Sequence, residues 1–246
     1  MKIVRVSHNK EVYRGILDGD DIRVDTPGEK PVIFSQKDVN FLSPVEPSKI
    51  VCVGLNYTDH AEELGMAVPA DPVIFIKPST SIIGHGGTIS YPSSSGRVDY
   101  EAELGVVIKD YTRKVPASEA FAHIAGYTCV NDVTARDLQS KDVQWTRAKS
   151  FDTFAPVGPW IETDLDPADL GIRTYLNGDL KQESRTSRLI FDIPGLIEFI
   201  SDIMTLLPGD IISTGTPHGV GPMCPGDEVT VEIEGIGRLT NRVEKG

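Results

Sequence analysis

Glu101 and Glu103 lie two residues apart in an apolar segment that continues to Ile108. In a β-strand this spacing puts both carboxylates on one face, where their like charges repel each other. On pattern alone, an ordinary half-buried strand that shows two carboxylates to water is the more frequent explanation. The alternative is a divalent cation, with Asp132 at the end of another apolar run as the third ligand. Three carboxylates without Cys or His favour Mg²⁺, Mn²⁺ or Ca²⁺ over Zn²⁺.

His60 and Glu63 form a second candidate pair. They lie three residues apart on a predicted helix that Asp59 caps and Gly65 ends, so they share one face. A carboxylate in that position orients an imidazole and raises its basicity, as a general base requires. The same spacing is common on solvated helix surfaces, where the pair has no catalytic role.

Lys149 and the loop around Thr216 offer groups that suit an anion. Lys149 lies among apolar neighbours, either as a buried cation that faces a substrate carboxylate or as a side chain whose ammonium reaches solvent. The loop from Ser213 to Pro222 is rich in Gly, Thr and Pro. It either presents backbone N–H groups and a threonine hydroxyl to an anion or is only a tight connection.

The elements that must position these groups are mostly short strands. Apolar runs and alternation predict strands at 50–54, 73–76, 101–108, 211–213 and 229–233, and Asn177-Gly178 predicts a type I′ hairpin. Helical signals predict helices at 118–125, from Thr134 onward, and at 192–206. Because the strands do not alternate regularly with long helices, the predicted class is β-rich α+β.

The N-terminal part of the chain has a different pattern from the rest. About 45 residues alternate like a small β unit, and two prolines in the segment 41–48 mark its end. We therefore predict a small N-terminal β domain over residues 1–47 and a larger, catalytic domain over 48–246.

Composition and missing motifs exclude several functional classes. The net charge of −12 argues against nucleic-acid binding, and no apolar run approaches the roughly 20 residues that cross a bilayer. The charged start of the chain does not resemble a signal peptide. Cys52, Cys129 and Cys224 are typical of buried thiols in a reducing cytoplasm. The motifs of P-loop proteins, Rossmann dehydrogenases, α/β-hydrolases and zincins do not occur.

Several segments together resemble the fumarylacetoacetate hydrolase superfamily, in order, from Ser48 to Val243. They are Gly54-Leu55-Asn56-Tyr57 with His60 and Glu63, Phe75-Ile76-Lys77-Pro78-Ser79-Thr80, Asp99-Tyr100-Glu101-Ala102-Glu103-Leu104-Gly105, Asn131-Asp132-Val133-Thr134-Ala135-Arg136-Asp137 with Gln139, Ala148-Lys149-Ser150-Phe151, Gly209-Asp210 and Thr214-Gly215-Thr216-Pro217. Each motif alone is modest, but their order makes the resemblance specific.

The resemblance implies a fold and a metal site. The expected fold is the mixed-sheet β-roll of the family's C-terminal domain, joined to the small N-terminal β unit and assembled as a homodimer. The expected cofactor is Mg²⁺ or Mn²⁺, with Ca²⁺ as a substitute in crystals, and its ligands fall on Glu101, Glu103 and Asp132. One departure is Asn56, which stands where fumarylacetoacetate hydrolase itself has a fourth aspartate ligand.

The resemblance also implies roles for the remaining candidates and a class of substrate. His60, Glu63 and Lys149 would be catalytic. The groups that would hold the oxygens of a small oxo acid are Arg136, Gln139 and Thr216, unless Arg136 pairs with a neighbouring acid. The helix that carries His60 and Glu63 is similar to the helix found in the acylpyruvate hydrolase and oxaloacetate decarboxylase branch of the family.

We therefore expect a cytoplasmic, metal-dependent hydrolase or decarboxylase that cleaves a C–C bond of an acylpyruvate or an oxaloacetate-like acid through a metal-stabilised enolate. An alternative is an isomerase or decarboxylase of a 2-hydroxymuconate-type dicarboxylate from aromatic catabolism, which needs no attack by water. A non-enzymatic alternative is a protein that only binds a metal and an oxo acid. A base beside the metal argues against that alternative, because binding alone does not need one.

Overall fold

The computed structural model describes residues 1–25, 27–28, 30–65 and 67–246, with the side chain of Leu64 left out. The strands are β1 Lys2–His8, β2 Glu11–Asp18, β3 Asp21–Val24, β4 Val32–Ser35, β5 Asn40–Phe41, β6 Lys49–Gly54, β7 Val73–Pro78, β8 Ile82–Ile83, β9 Thr88–Tyr91, β10 Val98–Tyr100, β11 Ala102–Ile108, β12 Ile124–Asn131, β13 Thr134–Ala135, β14 Ala155–Glu162, β15 Gly171–Leu176, β16 Asp179–Arg185, β17 Ile211–Ser213, β18 Gly221–Met223, β19 Glu228–Ile233 and β20 Gly237–Lys245. The helices are α1 Thr58–Leu64, α2 Arg136–Lys141, α3 Thr146–Lys149 and α4 Ile193–Ile203, and 3₁₀ turns lie at Gln36–Asp38, Ser79–Ser81, Ala117–His123 and Thr186–Arg188.

The strands form mixed sheets, which confirms the predicted β-rich α+β class. The largest sheet has the order β4-β3-β2-β1-β14-β12-β11-β17-β6-β7, with β5 beside β1 and β8 beside β14. A three-stranded sheet has the order β13-β10-β18, and a five-stranded sheet has the order β16-β15-β19-β20-β9. The N-terminal strands join the largest sheet through β1, where Lys2 pairs with Glu162. The boundary between residues 47 and 48 stays a prediction.

The main core lies between the largest sheet and the five-stranded sheet, and α4 covers it. Leu196, Ile197 and Ile200 of α4 pack in one buried cluster with Leu104 of β11 and Ile172 of β15. Asp192 caps the helix by accepting the N–H of Gly195 at 2.9 Å. The helix ends before the predicted residue 206, because Met204 is already extended. Ile203, the last residue of the helix, is 52% exposed.

Three other predicted elements differ from the observed ones. The predicted strand 101–108 is interrupted, because Glu101 lies between β10 and β11. The predicted helix at Thr134 begins at Arg136, since Thr134 and Ala135 pair with β10 instead. The predicted helix at 118–125 is a 3₁₀ segment over Ala117–His123.

Other details of the prediction can also be compared with the structure. Asn177 and Gly178 connect β15 and β16 with φ values of 53° and 86°, which confirms the type I′ hairpin. Cys52 and Cys129 are buried, whereas Cys224 is exposed, so the prediction of three buried thiols is wrong for Cys224. None of the helices in the described part of the chain has both the length and the apolar character needed to cross a membrane.

Candidate active site

Glu101, Glu103 and Asp132 come together because β11 and β12 are antiparallel neighbours. Ala102 lies opposite Asn131, so the residue before β11 and the residue after β12 are adjacent. The N–H of Asp132 donates to the carbonyl of Glu101 at 2.9 Å. One carboxylate oxygen from each of the three residues lies within 4.8 Å of the other two. The three side chains are buried, so the simple interpretation of a strand showing carboxylates to water is wrong.

Two buried lysines contact this carboxylate cluster. The Nζ of Lys149, at the end of α3, donates to Glu101 and to Asp132, each at 2.7 Å. The Nζ of Lys77, in β7, donates to Asp132 and, at 3.0 Å, to the carbonyl of Val133. Lys149 is only 2% exposed. Its ammonium therefore does not reach solvent, and in this structure it contacts the carboxylates that are the candidate metal ligands.

Arg136 pairs with neighbouring acids, which is the alternative that we left open for it. Its Nε donates to Asp99 at 2.9 Å, and one of its terminal nitrogens donates to Glu101. Its other terminal nitrogen donates to the side-chain oxygen of Gln139 at 2.6 Å. Because that oxygen is occupied, the amide nitrogen of Gln139 is the part of the side chain left for a substrate oxygen.

The charges in the cluster are unevenly distributed. Burial by itself raises the pKa of Glu101, but the cations of Lys149 and Arg136 outweigh burial and lower this pKa to about 2. Burial raises the pKa of Glu103 well above its usual value, and the negative charges of Asp132 and Glu101 raise it further. Glu103 forms no ion pair with a cation among the residues described. A divalent cation would supply the missing positive charge.

Glu103 is held by the last residue of β17 and by the loop that follows this strand. It accepts hydrogen bonds from the hydroxyl of Ser213 and, at 2.9 Å, from the N–H of Gly215. Gly215 has a φ of +103°, and a Cβ there would lie 2.8 Å from the Cβ of Asn56. Only glycine fits this position without strain, which explains the glycine in the Thr214–Pro217 motif.

Asn56 has a structural role. Its amide nitrogen donates to the carbonyls of Phe191, at 3.1 Å, and Thr214, at 2.7 Å. Its oxygen accepts the N–H of Phe191 at 2.8 Å. The amide therefore joins two backbone segments, and both its oxygen and its nitrogen are used in those bonds.

His60 and Glu63 form the predicted pair on α1. The Nδ1 of His60 lies 2.9 Å from Glu63, and His60 is 9% exposed. Glu63 also accepts the N–H of Gly219 at 3.1 Å, so it connects α1 to the loop after β17. Gly65 ends the helix as predicted, but Asp59 does not cap it. Asp59 lies inside the first turn and accepts the hydroxyl of Ser184 instead.

A cavity of about 310 Å³ brings almost all of the predicted groups together. It is lined by the three carboxylates and by His60, Arg136, Gln139, Lys149 and Thr216. Phe75 and Trp145 form an apolar wall, with their rings edge to face at 5.4 Å. A larger cavity of about 900 Å³ lies elsewhere, beside Phe41 and His85. None of these groups lines that cavity, so the smaller one is the better candidate.

Three further residues, to which no role is assigned from the sequence, shape this site. Lys77 had a detectable signal, because a lysine inside the apolar strand Val73–Pro78 requires a buried partner. Ser213 lies in a buried strand next to the glycine-rich loop, which is a weaker signal. Gln182 gave none, because its strand is polar along most of its length.

Comparison with known proteins assigns the family. Residues 49–244 match the family described as fumarylacetoacetate (FAA) hydrolase C-terminal. The chain belongs to this family. The mitochondrial oxaloacetate tautomerase of Rattus norvegicus is 42% identical over 223 residues, which cover 86% of this chain and 71% of that protein.

Solved structures confirm the fold. The 5-carboxymethyl-2-hydroxymuconate delta-isomerase of Mycobacterium smegmatis is 48% identical with a TM-score of 0.94, covering 100% of this chain and 99% of that one. The maleylpyruvate hydrolase of Sphingobium sp. SYK-6, solved with manganese(II) and pyruvate, is 30% identical with a TM-score of 0.86 and full coverage of both chains. The family therefore includes relatives that are named as hydrolases, isomerases and tautomerases.

Proposed function

We propose that this protein is a divalent-metal-dependent enzyme that cleaves a C–C bond in a short 2-oxo acid, either an acylpyruvate or an oxaloacetate-like acid. One observation carries the proposal: the His60 imidazole lines the same small cavity as three buried carboxylates that can hold a metal. A protein that only binds a metal and an oxo acid has no need of that imidazole. A hydrolase does, because it must deprotonate water beside the substrate.

The carboxylate oxygens suit Mg²⁺ or Mn²⁺, and Glu101, Glu103 and Asp132 would hold the ion. When bound, such an ion supplies Lewis-acid stabilisation of an enolate. The manganese in the Sphingobium maleylpyruvate hydrolase supports this choice of metal. Lys149 holds Glu101 and Asp132 in place, and its charge favours an anionic substrate beside them.

His60, oriented by Glu63, would act as the general base that deprotonates the attacking water. Because Glu63 accepts from Nδ1, the lone pair of the neutral imidazole is on Nε2, which can take a proton from water. The water oxygen bonds to the distal keto carbon of an acylpyruvate, and the C–C bond to the pyruvate methylene then breaks. Its electron pair stays on the methylene carbon, which accepts a proton. The products are a carboxylic acid and pyruvate.

A second candidate reaction is supported by the comparisons. The Mycobacterium smegmatis relative, at 48% identity over the whole chain, is named as a hydroxymuconate isomerase. Isomerisation moves a proton between two carbons of the same enolate and needs no water. The same cavity can serve it, with His60 as the group that carries the proton.

A substrate screen distinguishes these reactions. We expect activity with Mg²⁺ or Mn²⁺ on acylpyruvates or oxaloacetate, followed by loss of their enol absorbance and detection of pyruvate. Turnover only of dienoate dicarboxylates, without release of a fragment, would favour the isomerase. No turnover of any of these acids with either metal would contradict the proposal.

We also propose that the protein is a homodimer. β7 is the last strand of the largest sheet, and its Val73 and Ile76 are 44% and 42% exposed. An apolar strand at a sheet edge is usually covered by another chain or element. We expect sedimentation to give twice the chain mass of 26.8 kDa at micromolar protein, and a monomer would contradict this proposal.

A further inference from the structure

Gln182 connects the candidate active site to the outer five-stranded sheet. It lies on β16, is fully buried, and does not line the cavity. Its side-chain amide nevertheless has five hydrogen-bond partners, of which three share the two hydrogens of the nitrogen, and four of the five belong to the two segments that form the site. A buried amide with this many partners fixes the relative positions of the groups that it joins.

The oxygen of Gln182 contacts the strand that carries the carboxylates. It accepts the N–H of Ala102 at 3.0 Å, and Ala102 lies between Glu101 and Glu103. It also accepts the hydroxyl of Thr174 at 2.7 Å, which is a contact within the outer sheet. The oxygen therefore ties the backbone between two candidate ligands to a neighbouring sheet.

The nitrogen of Gln182 contacts the loop on the other side of the cavity. It donates to the hydroxyl oxygen of Thr216 at 3.0 Å and to the carbonyls of Pro217, at 2.9 Å, and His218, at 3.3 Å. Because the oxygen of Thr216 already accepts this bond, the hydroxyl hydrogen is left to donate to another group. Thr216 lines the cavity, so that group can be a substrate oxygen.

We propose that Gln182 is a positioning residue: it fixes Thr216 and the carboxylate-bearing strand relative to each other, and it orients the Thr216 hydroxyl as a donor to the substrate. The proposal rests on the proposed function, because it assumes that an oxo acid binds beside Thr216. It adds a residue outside the cavity to the machinery that recognises that acid.

Two substitutions separate the two sides of the amide. Gln182→Glu keeps the shape and the oxygen that accepts from Ala102, but it puts a carboxylate oxygen against the carbonyls of Pro217 and His218. Gln182→Met removes both the oxygen that accepts from Ala102 and the nitrogen that donates to the Thr216 loop. Thr174→Val is the matched control, because it removes only the bond that leads away from the site.

Binding is measured first, with Mn²⁺ and pyruvate as probes. Titration of each protein with Mn²⁺, followed by electron paramagnetic resonance, gives the affinity for the metal. Calorimetric titration of the Mn²⁺-loaded protein with pyruvate gives the affinity for an oxo acid. We expect Gln182→Glu to weaken pyruvate binding about 10–100-fold without weakening Mn²⁺ binding, since supporting residues of metal sites have effects of this size. Gln182→Met should weaken both, and Thr174→Val should stay within about twofold of wild type.

Kinetics then test the same assignment. The Gln182 variants should raise KM for the best substrate of the screen by a similar factor, and thermal melting identifies any variant that does not fold. Gln182→Glu is nearly isosteric and serves alone if Gln182→Met does not fold. If pyruvate affinity and KM of the Gln182 variants match those of Thr174→Val, Gln182 is only structural and the inference is wrong. If the wild type binds neither Mn²⁺ nor pyruvate, the proposed function is wrong, and the inference fails with it.

Discussion

The carboxylate cluster and helix α1 face the same cavity, but the fold supports them very differently. Glu103 and Asp132 lie in or next to central strands of the largest sheet, and two buried lysines contact the cluster. Helix α1 has seven residues, no side-chain cap, and a Glu63 that is 40% exposed. Its connection to the rest of the site includes the bond from Gly219 to Glu63.

This difference suggests a division of labour between the two regions. The cluster is built into the sheet, so it is present before substrate arrives and is needed for every reaction that uses an enolate. A helix of seven residues with an exposed C-terminal end, where Glu62, Glu63 and Gly65 face solvent, is easier to displace than a central strand, and it contributes one proton-carrying pair. Substitutions in the cluster should therefore remove all activities, whereas substitutions in α1 should affect one reaction more than another.

The largest effect is expected from the carboxylate cluster. Glu101→Gln or Asp132→Asn should abolish activity on every substrate, because each removes one of three candidate ligands. Chelation of the metal should lower the melting temperature of the wild type, since an ion at 100 times its Kd stabilises the folded state by about 2.7 kcal/mol. Activity assays and thermal melting with and without a chelator measure both effects.

An exposed carboxylate provides the control for this prediction. Asp179 lies in the β15–β16 hairpin, and its side chain is 77% exposed, so Asp179→Asn should change neither activity nor the response to the chelator. A chelator that changes neither activity nor melting temperature in the wild type would show that the metal assignment is wrong.

The second prediction concerns the reactions that His60 and Glu63 support. Hydrolysis of a diketo acid needs a base for water, and such a base contributes about 10²–10⁴-fold. Decarboxylation of oxaloacetate needs no nucleophile, because CO₂ leaves and the carbanion can take a proton from bulk water. His60→Ala and Glu63→Gln should therefore lower kcat/KM for acylpyruvate hydrolysis far more than kcat/KM for oxaloacetate decarboxylation.

Glu62→Gln is the matched control, because Glu62 is an exposed acid on the same helix. Its kcat/KM should equal that of the wild type for both substrates. Equal losses for the two reactions in His60→Ala would mean that the pair positions substrate, and the role as a base would have to be abandoned.

The sequence predicted the cluster better than it predicted the surroundings of α1. Two glutamates on one face of an apolar strand allow two explanations, exposure to water or a bound cation, and the resemblance to a known family favours the cation, with Asp132 as the third ligand. The pairing of β11 with β12 then decides the geometry. For α1, Asp59 looked like a cap, but its contact with Ser184 comes from a strand 125 residues away, which local patterns do not encode.

The residues that support the site show the same limitation. The sequence leaves the partner of Arg136 open, because a substrate carboxylate and a neighbouring acid suit a guanidinium equally well, and the packed structure shows Asp99 and Glu101 as its partners. The contacts of Gln182 join segments 34 and 80 residues apart in the chain. Such contacts follow from how the sheets stack, and neither propensity nor periodicity contains that information.

The third prediction concerns Asp210 and follows from its contacts with residues at or near the start of β6 and β17 in the largest sheet. This buried carboxylate accepts the N–H groups of Ser48, at 2.8 Å, and Leu207, at 2.9 Å, and pairs with Lys49. Asp210→Asn should lower the free energy of unfolding by about 1.5–3 kcal/mol at neutral pH, as the loss of a hydrogen bond to a charged group does, because Lys49 is only partly buried. Urea unfolding measures this value.

The pH dependence of this loss follows from the pKa of Asp210. Burial alone would raise this pKa, but the N–H of Leu207, together with Lys49 and Ser48, lowers it overall. A lowered pKa gives stability that is present above the unfolded value of about 3.9 and is lost as the pH falls through the folded value. The difference between wild type and Asp210→Asn should therefore be constant from pH 7 to 5 and shrink below pH 4. A constant difference down to pH 3 would contradict the assignment.

The smallest effect is expected at the end of α1, where Gly65 has a φ of +61°. A Cβ at this position meets no atom of the described residues within 4 Å, its chain neighbours aside, so the expected cost of Gly65→Ala is that of the left-handed backbone, about 1–2 kcal/mol. Gly19 in the β2–β3 turn has a φ of +58° and equally open surroundings, so Gly19→Ala carries the same strain far from the site. Both variants should melt a few degrees below the wild type, but only Gly65→Ala should lower acylpyruvate hydrolysis, because fraying of α1 displaces His60. Equal hydrolysis by the two variants at a temperature where both are folded would show that α1 is as firmly held as the carboxylate cluster, and the contrast between the two regions would disappear.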